Sequence, residues 1–246
     1  MTPAHTKRRW LRTWVVVAIA SAVVVLGAAG GAYALLHSRF FAASIVKVTG
    51  ERHESAAQVT NVAGLTASPP MISVDPSTIR QRVEAAFPWV ATATVTQSWP
   101  HTVTIALTER TPVAVVPGPK GTSVLVDVSG RRLGPPGQGQ LLPRLQYAVA
   151  PGQPASPGAL SAAAEPGLIV ASTLPPAFSA QVAVVQVDDR GWVTLHLTTP
   201  VTFVLGPASN LGAKYEDVAA VIGRTTLHVG DVVDVSVPQA MTVTGP

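Results

Sequence analysis

Residues 98–114, SWPHTVTIALTERTPVA, place Val103, Ile105 and Leu107 on one parity and Thr102, Thr104 and Thr108 on the other. Period-2 alternation in β-branched residues predicts a half-buried strand. The same stretch holds Ser98, His101 and Glu109, residue types that catalysis uses. At a rise of about 3.3 Å per residue, His101 and Glu109 stand about 26 Å apart. Hydrogen-bond reach is about 3 Å, so the two form no local dyad, and the strand reading stands. The pattern upstream is equally regular. IVKVT (45–49) predicts a short strand. Ser55 with Gln58 makes a capping box for a helix that Gly64 stops. Asp75-Pro76 is an N-cap followed by proline at the first helical position, and Ile79, Val83 and Phe87 recur at helical spacing until Pro88. VATATVTQ (90–97) predicts the strand that a tight Trp99-Pro100 turn joins to the next. The order is β-α-α-β-β.

Beyond residue 112 the pattern predicts strands at 113–116 (VAVV) and in SVLVDVSGRRL, with a hairpin turn over Asp127 to Gly130. Residues 134–158, rich in Pro, Gly and Gln, read as an exposed loop. Residues 159–173 read as a weak Ala-rich helix interrupted at Pro166-Gly167. A strand meander follows at 183–187, 192–197 and 201–206, with a turn over Asp188 to Gly191. Asn210 is a candidate cap for a helix carrying Leu211, Tyr215, Val218 and Ile222 on one face. VVDVSVP (232–238) and MTVTG (241–245) close the chain as two short strands.

Residues 14–36, WVVVAIASAVVVLGAAGGAYALL, carry no charge. As a helix they span about 34 Å, enough for a hydrocarbon core of about 30 Å. Lys7, Arg8, Arg9 and Arg12 precede the run and Arg39 follows it, which predicts a cytoplasmic N-terminus and an extracytoplasmic body. Trp10 and Trp14 sit where an interfacial aromatic belt would lie. Ala32-Tyr33-Ala34 also fits a signal-peptidase site, but the apolar run exceeds a usual signal core of about 7–15 residues. An uncleaved anchor is the expectation.

Charge then changes the picture. The net charge of +4 belongs to the tail: five of the 17 Lys and Arg lie at or before residue 39, leaving twelve against 13 acidic residues in the body. Without a basic face on the domain, nucleic-acid binding is not expected. There is no cysteine, so neither a disulfide nor a thiolate is available. The six histidines are scattered, with no HExxH, and no GxSxG or glycine-rich phosphate loop occurs. Ser44-Ile45-Val46-Lys47 matches the SxxK of transpeptidases, but that chemistry needs one helix face, and here the residues enter a predicted strand without SDN or KTG partners. Asp188-Asp189 reads as a turn and Asp75 as a helix cap. A cell-wall enzyme is therefore poorly supported, and a membrane-anchored interaction protein is the reading that remains.

The ordered set of motifs resembles the FtsQ/DivIB family. IVKVTGERHESAAQV with Ala63-Gly64-Leu65 is similar to that family's opening strand, turn and first helix. Val74-Asp75, Pro88-Trp89-Val90, Trp99-Pro100 and Glu109-Arg110-Thr111-Pro112-Val113-Ala114 carry its most characteristic segment. LVDVSG (125–130), VTFVLGPASNLGAKYEDVAAVI and VVDVSVP resemble the later steps, and the Gly/Ala/Pro-heavy composition suits an actinobacterial source. The resemblance implies an α+β chain in four parts: a cytoplasmic tail (1–13), a single transmembrane helix (14–36), a POTRA domain (43–112) and a mostly antiparallel β domain (113–246) with a C-terminal helix and edge strands. It implies a non-enzymatic division scaffold, without cofactor or small-molecule substrate, at the septum. The implied partners are FtsB/DivIC-like and FtsL-like proteins, bound by strand addition. Carried onto this chain, the partner edge is Asp234, Val235, Ser236, Val237, Gln239, Met241 and Val243. Relatives often have arginine where Ser236 stands and some have tyrosine at Val237, so a smaller apolar contact is expected here. The alternative is another membrane-anchored or secreted POTRA scaffold. Glu109-Arg110 falls at the junction of the two domains, either orienting them or standing as an exposed, solvated pair.

Overall fold

The computed structural model describes residues 6–137, 139–148, 158–238 and 240–245. The chain divides into two compact units, Met1–Glu109 and Arg110–Pro246. The first unit begins with α1 (Thr6–Leu36), within which Trp14–Leu36 is long and apolar enough to cross a membrane, and none of it is buried inside the structure. Bilayer-length apolar surface left uncovered by protein is what a membrane anchor presents.

A 3-10 turn at Arg39–Phe41 leads to β1 (Ile45–Thr49), α2 (Ala56–Val62), α3 (Pro76–Ala86), β2 (Val90–Ser98) and β3 (Thr102–Glu109). Ser55 and Gln58 form the full capping box of α2. Asp75 caps α3, with Pro76 in its first turn, a cap worth about 1 kcal/mol. The three strands run in the order β1-β3-β2, so β3 is central: β1 pairs with it in parallel and β2 antiparallel. Central placement explains why its odd positions, Val103, Ile105 and Leu107, are all buried against Val59, Ile79, Val83 and Phe87 of the two helices. The Trp99-Pro100 peptide in the β2–β3 turn is cis. Gly50 ends β1 with φ +86, and a Cβ there would overlap the Leu107 carbonyl oxygen, so both the backbone sign and the space require glycine.

The second unit holds β4 (Pro112–Pro117), β5 (Ser123–Asp127), β6 (Arg132–Gly134), β7 (Arg144–Tyr147), α4 (Glu165–Thr173), α5 (Pro176–Ser179), β8 (Val182–Val187), β9 (Val193–Leu197), β10 (Thr202–Gly206), α6 (Leu211–Arg224), β11 (Val232–Asp234) and β12 (Thr242–Thr244). They make one nine-stranded sheet in the order β12-β11-β10-β9-β8-β7-β4-β5-β6. Five of its strand pairs are antiparallel, and β4–β7, β7–β8 and β10–β11 are parallel. Its core packs α4, α5 and α6 against Leu145, Val185, Leu195, Phe203 and Val233.

Three expectations are corrected here. Residues 134–158 are not simply a loop, because RLQY (144–147) forms β7 in the middle of the sheet, with Leu145 fully buried. Pro166-Gly167 does not interrupt a helix. Pro166 lies in the first turn of α4, where its missing N–H costs nothing. Gly167 is buried so tightly that a Cβ would overlap side-chain atoms of Leu145 and Val187. Asn210 precedes α6 in the left-handed region and makes no side-chain cap. The buried stripe of α6 runs through Lys214, Val218 and Val221, while Ile222 is exposed. Tyr215 remains half-buried because its hydroxyl meets Thr173 Oγ1 at 3.0 Å.

Candidate partner-binding site

The predicted partner edge lies on β11, β12 and the segment between them. The chain enters it through Asp231, a buried carboxylate that accepts from the His228 N–H at 2.7 Å, while the Asp231 carbonyl accepts from Thr202 N–H of β10. At the other end of β11, Val235 N–H donates to the Val204 carbonyl at 3.0 Å. Odd-numbered residues of β11 therefore turn their main chain toward β10. The even ones, Val232 and Asp234, face β12, where they pair with Thr244 and Thr242. By the alternation of an antiparallel ladder, Met241, Val243 and Gly245 then direct their N–H and C=O groups away from the sheet. β12 is the last strand of the sheet on this side. It presents a row of main-chain donors and acceptors, the template that an added strand uses.

The predicted residues divide on this geometry. Asp234 and Val235 do not lie on the free edge. β11 is paired on both sides, and Val235 is fully buried. Asp234 Oδ1 accepts from the Ser236 N–H at 2.8 Å. Its charge also bears on Lys214, a buried cation whose Nζ donates to the Pro207 carbonyl at 2.7 Å. Burial lowers the Lys214 pKa, and the Asp234 charge works the other way. Ser236 packs on Gly206, whose φ of +68 and lack of Cβ make room for it. Val237 is 61% exposed, and Met241 and Val243 are exposed with it. Gln239 lies outside the described residues. Val232, also exposed and apolar, belongs with this surface although the sequence pattern does not single it out. Its parity opposite Thr244 on β12 is a signal only once the strand pairing is known.

The residues of the 98–114 stretch form a different constellation. Glu109 Oε1 accepts from the backbone N–H groups of Arg52 and His53, and its Oε2 lies 2.7 Å from His53 Nδ1. The His53 ring stacks on Trp89, with centroids 3.7 Å apart and planes 6° from parallel. Arg110 instead reaches Asp127 of its own unit, Nη1 to Oδ2 at 2.7 Å, and Asp127 also accepts from Ser129 and from the Arg131 N–H. Of the two expectations for the Glu109-Arg110 pair, an exposed, solvated pair does not describe these side chains, which are 11% and 20% exposed. His101 lies at the opposite end of β3 from Glu109. Lys47 lies in strand β1, not on a helix with Ser44. Asp188 closes its turn by accepting from the Arg190 and Trp192 N–H groups. Among the described residues no three His, Asp or Glu side chains group as a metal site would require.

Comparison with known proteins adds to this geometry. Residues 41–110 match the family described as POTRA domain, FtsQ-type. The chain is 38% identical over 124 residues to the cell division protein FtsQ of Streptomyces collinus, across 50% of this chain and 46% of that relative. Identity to the cell division protein FtsQ of Streptomyces bingchenggensis is 28% over 235 residues, covering 95% of this chain and 86% of the relative. With that of Mycolicibacterium smegmatis it is 29% over 236 residues, 96% of this chain and 67% of the relative. The alignment to the S. collinus protein thus spans less than half of its length, whereas the weaker similarities extend through both units. The chain therefore carries an FtsQ-type POTRA domain and, over nearly its whole length, is similar to the FtsQ proteins of actinobacteria.

Proposed function

We propose that this chain is a non-enzymatic assembly protein of the bacterial division machinery, acting at the septum. In this reading α1 is a single-pass anchor with its basic start in the cytoplasm, and residues 43–112 and 113–246 are a POTRA domain and a β domain outside the membrane. The β domain takes up a strand from FtsB/DivIC-like and FtsL-like proteins along β12. The relatives' names support the division role, and the distribution of Lys and Arg around the apolar run supports the orientation. The observation that carries the partner reading is the outward main chain of Met241 and Val243 on an edge strand flanked by exposed Val232 and Val237. Main-chain hydrogen bonds supply affinity in such a mode, and alternate side chains supply selectivity.

Val243→Pro tests it on the full chain. Proline removes one outward N–H but none of the donors that bind β11. Affinity for the FtsB/DivIC-like and FtsL-like ectodomains should fall at least about tenfold, roughly 1.4 kcal/mol, with the melting temperature nearly unchanged. Removing residues 240–246 should abolish binding. A longer truncation from 231 would take out a strand paired on both sides, and its failure would say nothing about the edge. Unchanged affinity in both variants would reject β12 as the site. Depletion of the chain in its host should give long cells without septa. Normally sized, separated cells would leave the fold serving another envelope assembly.

A further inference from the structure

The POTRA unit presents aromatic surface close in sequence to the end of the apolar helix. Phe40 is 81% exposed and Trp99, at the tip of the β2–β3 turn, is 50% exposed. Phe41 links them: its ring lies 6.0 Å from that of Trp99. Phe41 follows α1 closely, through the backbone bonds His37 N–H to Tyr33, Ser38 N–H to Leu35 and Phe41 N–H to Ser38. The 3-10 turn Arg39–Phe41 itself rises about 6 Å, and only His37 and Ser38 separate it from Leu36. The polar layer on each side of a bilayer is about 5–7 Å thick. A chain whose helix ends at the edge of the hydrocarbon therefore brings Phe40, Phe41 and Trp99 to the headgroup layer, where Trp is enriched and Phe can bury apolar surface at the acyl boundary. Ile72, also exposed, lies at the same end of the sheet, since Gln97 Nε2 donates to the carbonyls of Met71 and Val74 on either side of it.

The charges agree. Arg39 sits between the helix and the aromatic pair. Glu109 lies seven positions along β3 from Thr102, about 23 Å away at strand rise, and Glu51 and Glu54 follow the same far end of β1. Asp75, which starts α3 next to Val74 at this end, is the acidic exception, its carboxylate engaged by Ser77 and Thr78. We propose that Phe40, Phe41 and Trp99 seat the POTRA unit on the outer surface of the phospholipid bilayer, with Arg39 facing the lipid phosphates. The membrane is then a second contact of this unit as well as the medium of its anchor. The inference rests on reading α1 as a membrane anchor.

The absence of cysteine makes the test direct. Single-cysteine full-length chains Trp99→Cys, Phe40→Cys, Arg52→Cys and Ala22→Cys are labelled with a small fluorophore. They are reconstituted into phosphatidylethanolamine/phosphatidylglycerol vesicles carrying nitroxide at the headgroup or at mid-chain. The 99 and 40 labels should be quenched by the headgroup nitroxide several-fold more than the 52 label, and the 22 label by the mid-chain nitroxide. Phe40→Cys leaves Trp99 in place, so loss of the Trp99–Phe41 contact in the other variant does not decide the result. If 99 and 40 are quenched no more than 52 while 22 is quenched at mid-chain, the seat is wrong and the anchor stands. If 22 also escapes quenching, the anchor reading fails and the seat falls with it.

Discussion

Glu109 holds its charge to lower pH than an ordinary glutamate. Burial works against that charge. The bond to the His53 imidazole, the N–H groups of His53 and Arg52 and the His53 charge together outweigh it. Asp127 follows the same logic: burial opposes ionisation, and Ser129, Arg110 and the Arg131 N–H prevail. A carboxylate whose pKa is depressed on folding contributes stability that is fully present above its unfolded value, about 4, and is lost as pH falls through the folded value. Acid unfolding should therefore be shallower in Glu109→Gln for the first unit and in Asp127→Asn for the second, read as melting temperature from about pH 5 to pH 2. Unchanged slopes would remove both carboxylates from the acid response. At neutral pH, Asp127→Ala takes a carboxylate away from Arg110 in a largely buried setting and should cost about 3 kcal/mol.

Gly167 makes the corresponding case for an element. Alanine there would gain helix propensity of nearly 1 kcal/mol, yet its methyl would enter space held by Leu145 and Val187. Overpacking of this kind costs about 1–3 kcal/mol, so Gly167→Ala should destabilise the second unit, seen as a lowered denaturation midpoint. An increase would mean that α4 can move off the sheet. The same region shows what a sequence can and cannot reveal. Ser55-Gln58, Asp75-Pro76 and the Val103-Ile105-Leu107 alternation act through near neighbours, and each is legible from the order of residues alone. β7 is not. RLQY is too short for a period, and it lies beside turn-forming residues. It is a strand because Val115 and residues 184–187 flank it on both sides. The buried face of α6 escapes a hydrophobic pattern for a related reason. Lys214 is a poor core residue by composition, and only the Pro207 carbonyl with the Asp234 charge makes its burial tolerable. The partner edge is legible as a location, whereas its division into a covered strand and a free one depends on pairing between β10, β11 and β12.

The molecule as a whole has two cores that share no residue, one drawn from residues 43–107 and one from 114–235, and neither draws on α1. Ile105→Ala and Leu195→Ala, each expected to cost about 2–5 kcal/mol, should lower different steps of a two-step thermal transition of the full chain in detergent. One shared step, lowered equally by both, would mean a single cooperative body. Within the second unit, hairpins and a meander make β4–β5–β6 and β8–β9–β10 from near neighbours in sequence, whereas β7 bridges them by parallel pairing at long separation. Contacts of that kind are slow to form because the chain must close a large loop before any pairing rewards it. The two halves should therefore assemble first and remain unjoined until β7 enters. Pulse-labelling hydrogen exchange during refolding should find the Leu145 and Tyr147 amides protected after those of Leu195 and Leu125. For a chain synthesised from its N-terminus, the sheet is then completed from its middle, after both of its flanks are in place.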